Sequence, residues 1–199
     1  MKSFYLPLFA CCALFVCCSS NSKDNPDPIP ATKEFVSKSY NGDFVVALSN
    51  AYDEFANTDE LPTTVNVQGI KYSKGQYVSA ACLILAKMQE NPQTWQDADI
   101  EIPRLSYSTN DTWDTFDPDS ISIADVQWLA KTIYSYALEH TGYPNYCTFP
   151  SKYVESDGTE HDNMMTCNNA AVIFARVFNE FVKTSILPAK VSSWQSDFL

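Results

Sequence analysis

Two short stretches, LPTTVNV at residues 61–67 and YPNYCTF at residues 143–149, carry one pattern at an offset of 82 residues. Each has a proline at its second position and apolar residues at alternate positions after it. This alternation is typical of a short strand or an extended clasp. A pattern that recurs along a chain is also the signature of an internal repeat.

The sequence around these stretches recurs in the same order. ACLILAKM at 81–88 resembles AAVIFARV at 170–177 at an offset of 89, and IPRLS at 102–106 resembles LPAKVS at 187–192 at an offset of 85. Insertions in loops produce small differences of this kind between offsets. We therefore predict an internal duplication in which each copy runs helix, proline-containing extended segment, helix, proline-containing extended segment.

Four segments have apolar residues at helical spacing. The predicted helices are residues 40–57, a segment from Ser73 to Asn91, a segment from Ser122 to Gly142, and a segment from about Asp162 to Lys183. Gln76 and Asp125, each three residues after a serine, complete capping boxes at two of the helix starts. Gly142 is the predicted carboxyl-terminal cap of the third helix.

The repeat gives a physical basis for the predicted fold. One helical hairpin cannot bury both of its apolar stripes, whereas two hairpins packed together can. We therefore expect a mainly α protein, with two tandem helix–extended segment–helix repeats packed as a four-helix domain with short β elements. Repeat unit 1 is residues 35–110 and repeat unit 2 is residues 122–199, joined by an acidic linker at 111–121.

The amino terminus has the plan of an export signal. Lys2 precedes an apolar run at residues 4–16, which is too short to span a bilayer as a helix. The run ends in LFVCCSS, which looks like the lipobox of bacterial lipoproteins, with Cys18 as the lipidated residue and Cys17 as the alternative. An ordinary cleaved signal peptide with incidental cysteines is the other interpretation.

These features predict where the protein is located. Residues 1–18 are the predicted signal peptide, and the polar, proline-containing residues 19–34 are a predicted disordered tether. We expect an exported lipoprotein that contacts the membrane only through its lipid anchor. It would lie on the periplasmic or cell-surface face of a Gram-negative-type bacterium.

Charge and cysteine content exclude several functions. The net charge of −11 disfavours nucleic acid as a partner, because an acidic surface repels phosphates. Only Cys82, Cys147 and Cys167 lie beyond the signal region, and they lack the spacing of a zinc site. We predict no metal and no cofactor. A Cys147–Cys167 disulfide and three buried thiols are equally open alternatives.

The repeats also resemble a known family. LPTTV at 61–65 followed by the helix from Gln76, and GYPNY at 142–146 followed by VIFARVFNEF, are similar to the pseudomurein-binding repeats of cell-wall proteins. The resemblance covers residues 40–194 and implies attachment to a cell-wall polymer. In the first copy Thr63-Thr64 replaces the Asn-Tyr of the family pattern, and residues 154–162 are an insertion in the second.

Aromatic residues in loops are the predicted ligand-binding residues, because aromatic faces stack on sugar rings. Six aromatics lie in loops or proline-containing segments: Tyr72, Tyr107, Trp113, Tyr143, Tyr146 and Trp194. The predicted binding residues are Asn145, Tyr146, Tyr143, Trp194 and Tyr72. For any one aromatic, covering the edge of the core between the repeats is an equal alternative. The function predicted is a non-catalytic module that binds a cell-wall or surface glycan, and a surface adhesion or structural protein with a protein partner is the alternative.

A catalytic role is the least favoured interpretation. TCNNAAVIFARVF followed by LPAKV is similar to the transglutaminase-like superfamily, in which a histidine base lies downstream of the nucleophilic cysteine. His140 and His161 both precede Cys167. Cys147 with His161 and Asp162 is a weaker constellation. Four aspartates in the linker (Asp111, Asp114, Asp117 and Asp119) lack the ligand spacing of a calcium loop.

Overall fold

The computed structural model describes residue 35 and residues 37–107, 120–154 and 157–192. All of them belong to one compact unit. The predicted signal peptide, Cys18, the aspartates of the linker, Trp113 and Trp194 lie outside the described residues.

Four helices and six strands make up the described chain. The helices are α1 (Tyr40–Thr58), α2 (Lys74–Glu90), α3 (Ile123–His140) and α4 (Cys167–Thr184). The strands are β1 (Thr64–Val67), β2 (Ile70–Ser73), β3 (Ser120–Ser122), β4 (Tyr146–Val154), β5 (Glu160–Thr166) and β6 (Lys190–Ser192). A short 3-10 turn, Trp95–Asp97, follows α2. Within the described residues, every helix is too short or too polar to cross a lipid bilayer.

The helix starts follow local capping chemistry. At the start of α2 the backbone N–H of Ser73 donates to Gln76 Oε1 at 3.1 Å, which confirms the predicted capping box. The hydroxyl of Ser122 accepts from the N–H of Asp125 at 3.1 Å at the start of α3. α3 ends on Thr141 with a left-handed φ of 54°, so the prediction of Gly142 as its cap is wrong by one residue.

The predicted extended segment of unit 1 is one strand of a tight antiparallel hairpin, which we call hairpin 1 (β1 and β2). Val67 pairs with Ile70, and Gln68 and Gly69 between them have φ values of 51° and 83°. A two-residue loop with positive φ at both positions has the twist that suits a hairpin. Val65 and Val67 point into the core, as their alternation predicted.

The corresponding segment of unit 2 is a longer hairpin, which we call hairpin 2 (β4 and β5). Its ladder runs from the Tyr146–Thr166 pair to the Val154–Glu160 pair, with an irregularity between Thr148 and Lys152. Residues 160–166 therefore form a strand, and the prediction that the fourth helix begins at Asp162 is wrong. Thr166 caps α4 instead, and its hydroxyl accepts from the N–H of Asn169 at 3.2 Å.

These strands correct the predicted fold class. Helices account for 53% and strands for about 21% of the structure, which is a mixed α/β fold rather than a mainly α four-helix domain. The prediction failed because the strand after each proline (β1 or β4) pairs with the next segment of the chain, which forms a second strand (β2 or β5). In unit 2 that second run had been assigned to a helix.

The two halves share local geometry at the hairpin–helix junction. The N–H of Lys74 donates to the carbonyl of Thr63 at 3.0 Å, and the N–H of Cys167 donates to the carbonyl of Asn145 at 3.1 Å. When the two halves are aligned on these helix starts, Ala81 corresponds to Phe174. The sequence alignment had placed Ala81 opposite Ala170, so it was displaced by four residues, about one helical turn.

The helices pack mainly across the two halves. α1 lies chiefly against α4, and α2 lies chiefly against α3. The buried amide of Asn179 on α4 donates to the carbonyl of Ser49 at 3.1 Å and to Asp53 Oδ1 at 2.9 Å on α1. Each half therefore completes its core with helices from the other.

Candidate functional site

An open groove of about 820 Å³ lies beside hairpin 1, between β2, the first turns of α1 and α2, and the extended segment 100–106. We call it the hairpin groove. Its volume lies in the range of about 300–1,000 Å³ that is usual for ligand sites.

Apolar and aromatic side chains line the inner part of the hairpin groove. They are Tyr40, Tyr72, Ile100, Ile102 and Leu105, and all five pack against the core. The hydroxyls of Tyr40 and Tyr72 hydrogen-bond to each other. Burial and this hydrogen bond raise the pKa of Tyr40, so its hydroxyl is neutral at physiological pH. Such a surface offers flat apolar area together with a hydroxyl pair.

Polar side chains line the outer part of the hairpin groove. They include Lys71, Ser73, Gln76, Glu101, Arg104 and Ser106. The exposed Ile70, 55% accessible, lies beside them at the end of the hairpin 1 turn. An apolar floor with a polar margin suits a ligand that has both C–H faces and hydroxyl groups.

A glycine lets the segment 100–106 approach α2. A Cβ atom built on Gly75 would lie only 2.5 Å from the carbonyl oxygen of Leu105. Any larger residue would force this backbone outward. Further along the segment, Ser106 forms a parallel bridge with Gly142. Gly75 therefore sets the position of one wall of the hairpin groove.

Asn145 and Tyr146, the residues predicted first as ligand contacts, lie together at the start of β4. Both are exposed, and Tyr146 is 52% accessible. Their counterparts in hairpin 1 are Thr63 and Thr64, because β1 and β4 begin at matching positions. Tyr146 is therefore an accessible aromatic face on hairpin 2.

The remaining predicted contacts are not gathered around Tyr146. Tyr143 is buried, and its hydroxyl donates to the carbonyl of Gly75 at 2.5 Å and bonds to Ser79. Tyr72 is also largely buried, but it lines the hairpin groove. The structure thus places Tyr143 in the core between the halves and Tyr72 in a different site from Tyr146.

Of the residues that line the hairpin groove, only Tyr72 was predicted from the sequence as a binding residue. Tyr40, Lys71 and Arg104 come from three separate segments, and only folding brings them to one surface. Arg104 lies within the repeated stretch 102–106. In the structure Arg104 is exposed between half-buried neighbours, which the sequence alone did not indicate.

The three cysteines within the described residues, Cys82, Cys147 and Cys167, are free thiols, and each is buried. Burial raises the pKa of the Cys147 thiol to about 11 and that of Cys167, which also has Cys147 nearby, to about 12. The hydroxyl of Tyr107 donates to the carbonyl of Cys167 at 3.2 Å. Because the thiolate is the nucleophilic form, these thiols are poorly suited to attack.

The histidines lie at the ends of secondary-structure elements. His140 stacks on Tyr136 at the end of α3, with ring centroids 4.0 Å apart, and His161 is exposed on β5. In the part of the chain that the structure describes, no group of three or more His, Cys, Asp or Glu residues is placed to hold a metal ion.

A second groove, of about 490 Å³, joins the two halves between the end of α1 and the start of α4. We call it the inter-repeat groove. Glu60, Thr63, Lys74 and Asn169 are among the residues that line it. Asn168, which also lines it, accepts a hydrogen bond from the Tyr107 hydroxyl at 2.9 Å. At least one polar side chain of this groove is therefore already engaged in a hydrogen bond within the fold.

No protein-family model matches the chain, and neither a curated protein nor a solved structure is similar to it at a significant level.

Proposed function

We propose that this chain is a non-catalytic binding module that attaches to a cell-wall or surface glycan, tethered to a membrane by a lipid on Cys18. The ligand occupies the hairpin groove, and Tyr146 provides a second, separate contact on hairpin 2. No nucleic acid and no cofactor takes part.

The observation that carries the proposal is the composition of the hairpin groove. Sugars present C–H faces that stack on aromatic rings and hydroxyl edges that require hydrogen-bond partners. The groove offers Tyr40 and Tyr72 on its inner surface, with Gln76 and Ser106 at its margin. Its open form admits a chain that continues past both ends, as a polymer does.

The resemblance to pseudomurein-binding repeats also supports a wall polymer as the ligand. Both halves carry the proline-containing stretch of that family directly before a hairpin and a helix. The Asn-Tyr pair of the family pattern occurs only in hairpin 2, as Asn145 and Tyr146. We infer that hairpin 1 binds through its groove and hairpin 2 through Tyr146.

The state of the cysteines favours binding over catalysis. A nucleophilic cysteine is usually accessible and has a lowered pKa. Cys167 is fully buried and its pKa is raised to about 12 by burial.

A protein partner is the second candidate, and the form of hairpin 1 favours it. Within the part of the chain that the structure describes, β2 belongs to a two-stranded sheet, so one of its edges has no paired strand there. Ile70 on β2 is exposed beside it. An extended peptide could add to such an edge through backbone hydrogen bonds.

Co-sedimentation with protein-free cell-wall sacculi tests the proposal. The full chain, kept in solution with detergent, is expected to pellet saturably, and soluble wall fragments should compete. Surface polysaccharides coupled to beads extend the test to other glycans. If the chain remains in the supernatant with every glycan tested, the proposed function is wrong.

Matched variants then locate the binding surface. Ile70→Ser should weaken binding, whereas Ile186→Ser, at an isoleucine that is 67% accessible and does not line the hairpin groove, should not. Tyr146→Ala should weaken binding more than Tyr136→Ala, which removes a tyrosine of similar exposure from α3. Equal effects within each pair would show that these surfaces do not contact the glycan.

A further inference from the structure

The charges of the hairpin groove run against those of the whole chain. The chain carries a net charge of −11, with 13 basic and 24 acidic residues. Among the described residues, those that line the hairpin groove include two basic residues, Lys71 and Arg104, and one acidic residue, Glu101. A local excess of positive charge on an acidic protein attracts an anion to that place.

The two cations differ in their surroundings from the other arginine of the chain. Among the described residues, neither Lys71 nor Arg104 forms an ion pair or a side-chain hydrogen bond, and both are exposed. The other arginine of the chain, Arg176, lies 3.3 Å from Glu180 and packs over the ring of Tyr52. Arg176 thus links α4 to α1, whereas Arg104 forms no such link with a side chain in the described part of the chain.

The two cations come from two different segments that line the hairpin groove. Lys71 is on β2 and Arg104 is on the segment 100–106. The planar guanidinium of Arg104 has the geometry to bind a carboxylate through two hydrogen bonds, and the ammonium of Lys71 can bind a second oxygen or a second acid group.

We propose that the hairpin groove binds a glycan that bears carboxylates, with a sugar face on Tyr40 and its acid groups on Arg104 and Lys71. This inference rests on the proposed glycan-binding function and names the class of glycan. A densely charged polyphosphate fits less well, because the acidic remainder of the surface repels it. A chain with one acid group per repeating unit brings few charges and places them where the cations are.

The test compares acidic glycans with neutralised copies of themselves. The first pair is glycan strands released from sacculi by an amidase, with free lactyl carboxylates, and the same strands after conversion to methylamides. The second pair is a polysaccharide of alternating glucuronic acid and N-acetylglucosamine and its carboxyl-reduced form. Binding of the full chain is measured at low and moderate salt.

At least one acidic glycan is expected to bind about tenfold more tightly than its neutral copy, and salt should reduce that difference. Arg104→Gln should remove the preference, and Arg104→Lys should retain part of it, since it keeps the charge but not the paired hydrogen bonds. Lys71→Gln should weaken binding of the acidic form. Lys131→Gln, with the same change in net charge at an exposed site outside the groove, should not.

The outcomes separate this inference from the proposed function. Equal binding of acidic and neutral copies would leave glycan binding intact and overturn the carboxylate assignment. Absence of binding to every glycan would overturn both. If polyglutamate binds as tightly as the acidic glycan and depends equally on Arg104, the partner is an acidic protein segment and the inference is wrong. Thermal unfolding of each variant establishes that a loss of affinity is not a loss of fold.

Discussion

The segments that close the two halves are similar in sequence but differ in their pairing. In unit 2, β6 forms a ladder with β3, and the N–H of Ile123 donates to the carbonyl of Ala189 at 3.0 Å. In unit 1 the matching segment, 100–106, has no such ladder within the described residues. The residues before α1 turn to the 3-10 region instead, where the N–H of Lys38 donates to Gln96 Oε1 at 3.3 Å.

The side chains beside these segments also differ between the two halves. Tyr40 and Tyr72 in unit 1 occupy the positions of Ile123 and Met165 in unit 2, because helix starts and hairpin pairs correspond. Met165 is fully buried. One half has closed this space with backbone hydrogen bonds and apolar packing, and the other has kept it open and lined it with tyrosines and charges. The proposed binding site therefore lies in the half that leaves this space open.

The largest expected effect comes from a core position that only unit 1 fills with a large side chain. Tyr77 on α2 corresponds to Ala170 on α4, and its hydroxyl donates to the carbonyl of Pro62 at 2.8 Å. Tyr77→Ala should lower the free energy of unfolding by about 3–5 kcal/mol, because it leaves a cavity. Chemical denaturation measures this loss. Tyr77→Phe should cost only about 1 kcal/mol, and a similar loss for both variants would mean that the hydroxyl, not the ring, stabilises unit 1.

The next largest effect tests how the segment 100–106, one side of the hairpin groove, is held against α2. Gly75→Ala should destabilise the protein by about 1–3 kcal/mol, since the new Cβ meets the Leu105 carbonyl at 2.5 Å. It should also weaken the proposed glycan binding, because it displaces the segment 100–106 that lines the hairpin groove. Gly142→Ala is the control, because its Cβ would lie 3.8 Å from the nearest neighbouring atom, Ser106 O. Thermal unfolding measures the stability of both variants. An equally small loss of stability for both would show that the segment 100–106 can move away from α2 at little cost.

A smaller effect is expected at the turn that distinguishes the tight hairpin from the long one. Gly69 has a φ of 83° and open space where a Cβ would lie, so only the backbone opposes substitution. Gly69→Ala should lower the free energy of unfolding by about 1 kcal/mol. Gly69→Asn should cost less, because asparagine tolerates this conformation. Denaturant titration of the pair measures the difference, and a larger loss for asparagine would contradict this account.

The smallest effect depends on pH. Asp43 accepts hydrogen bonds from the Ser37 hydroxyl at 2.6 Å and from Gln68 Nε2 at 2.7 Å, and these bonds lower the pKa of its carboxyl. A lowered folded-state pKa means that the contribution is present above about pH 4 and is lost as pH falls through the folded-state value. Asp43→Asn should therefore reduce stability slightly at pH 7, with the difference shrinking below about pH 4. A difference that does not change with pH would rule out ionisation as its cause.

Local signals in the sequence predicted some elements correctly. The start of α1 was predicted from its apolar spacing, and the starts of α2 and α3 were predicted from Ser73 and Ser122, which are the residues that cap these helices. The start of α4 was missed because residues 160–166 read as a helix edge until paired with β4. Strand pairing is a non-local property, and the partner of a strand cannot be recognised from the strand alone.

The candidate site was less predictable than the helices. Tyr146 was expected to be accessible and it is, but Tyr143 has the same local sequence signals and is buried. What separates them is the contact of Tyr143 with Ser79 and Gly75 on α2, more than sixty residues away in the chain. The hairpin groove likewise depends on three segments that meet only in the folded molecule.

The packing of α1 against α4 also governs the order in which the molecule can form. Ser49 and Asn179, which are in contact, are separated by 130 residues. During synthesis the part of α1 that packs against α4 stays uncovered until α4 emerges. Distant contacts slow folding, and exposed apolar surface promotes aggregation. A nascent chain that stalls before Cys167 would therefore leave this surface of α1 exposed, and a chaperone that covers it would lower the risk of aggregation.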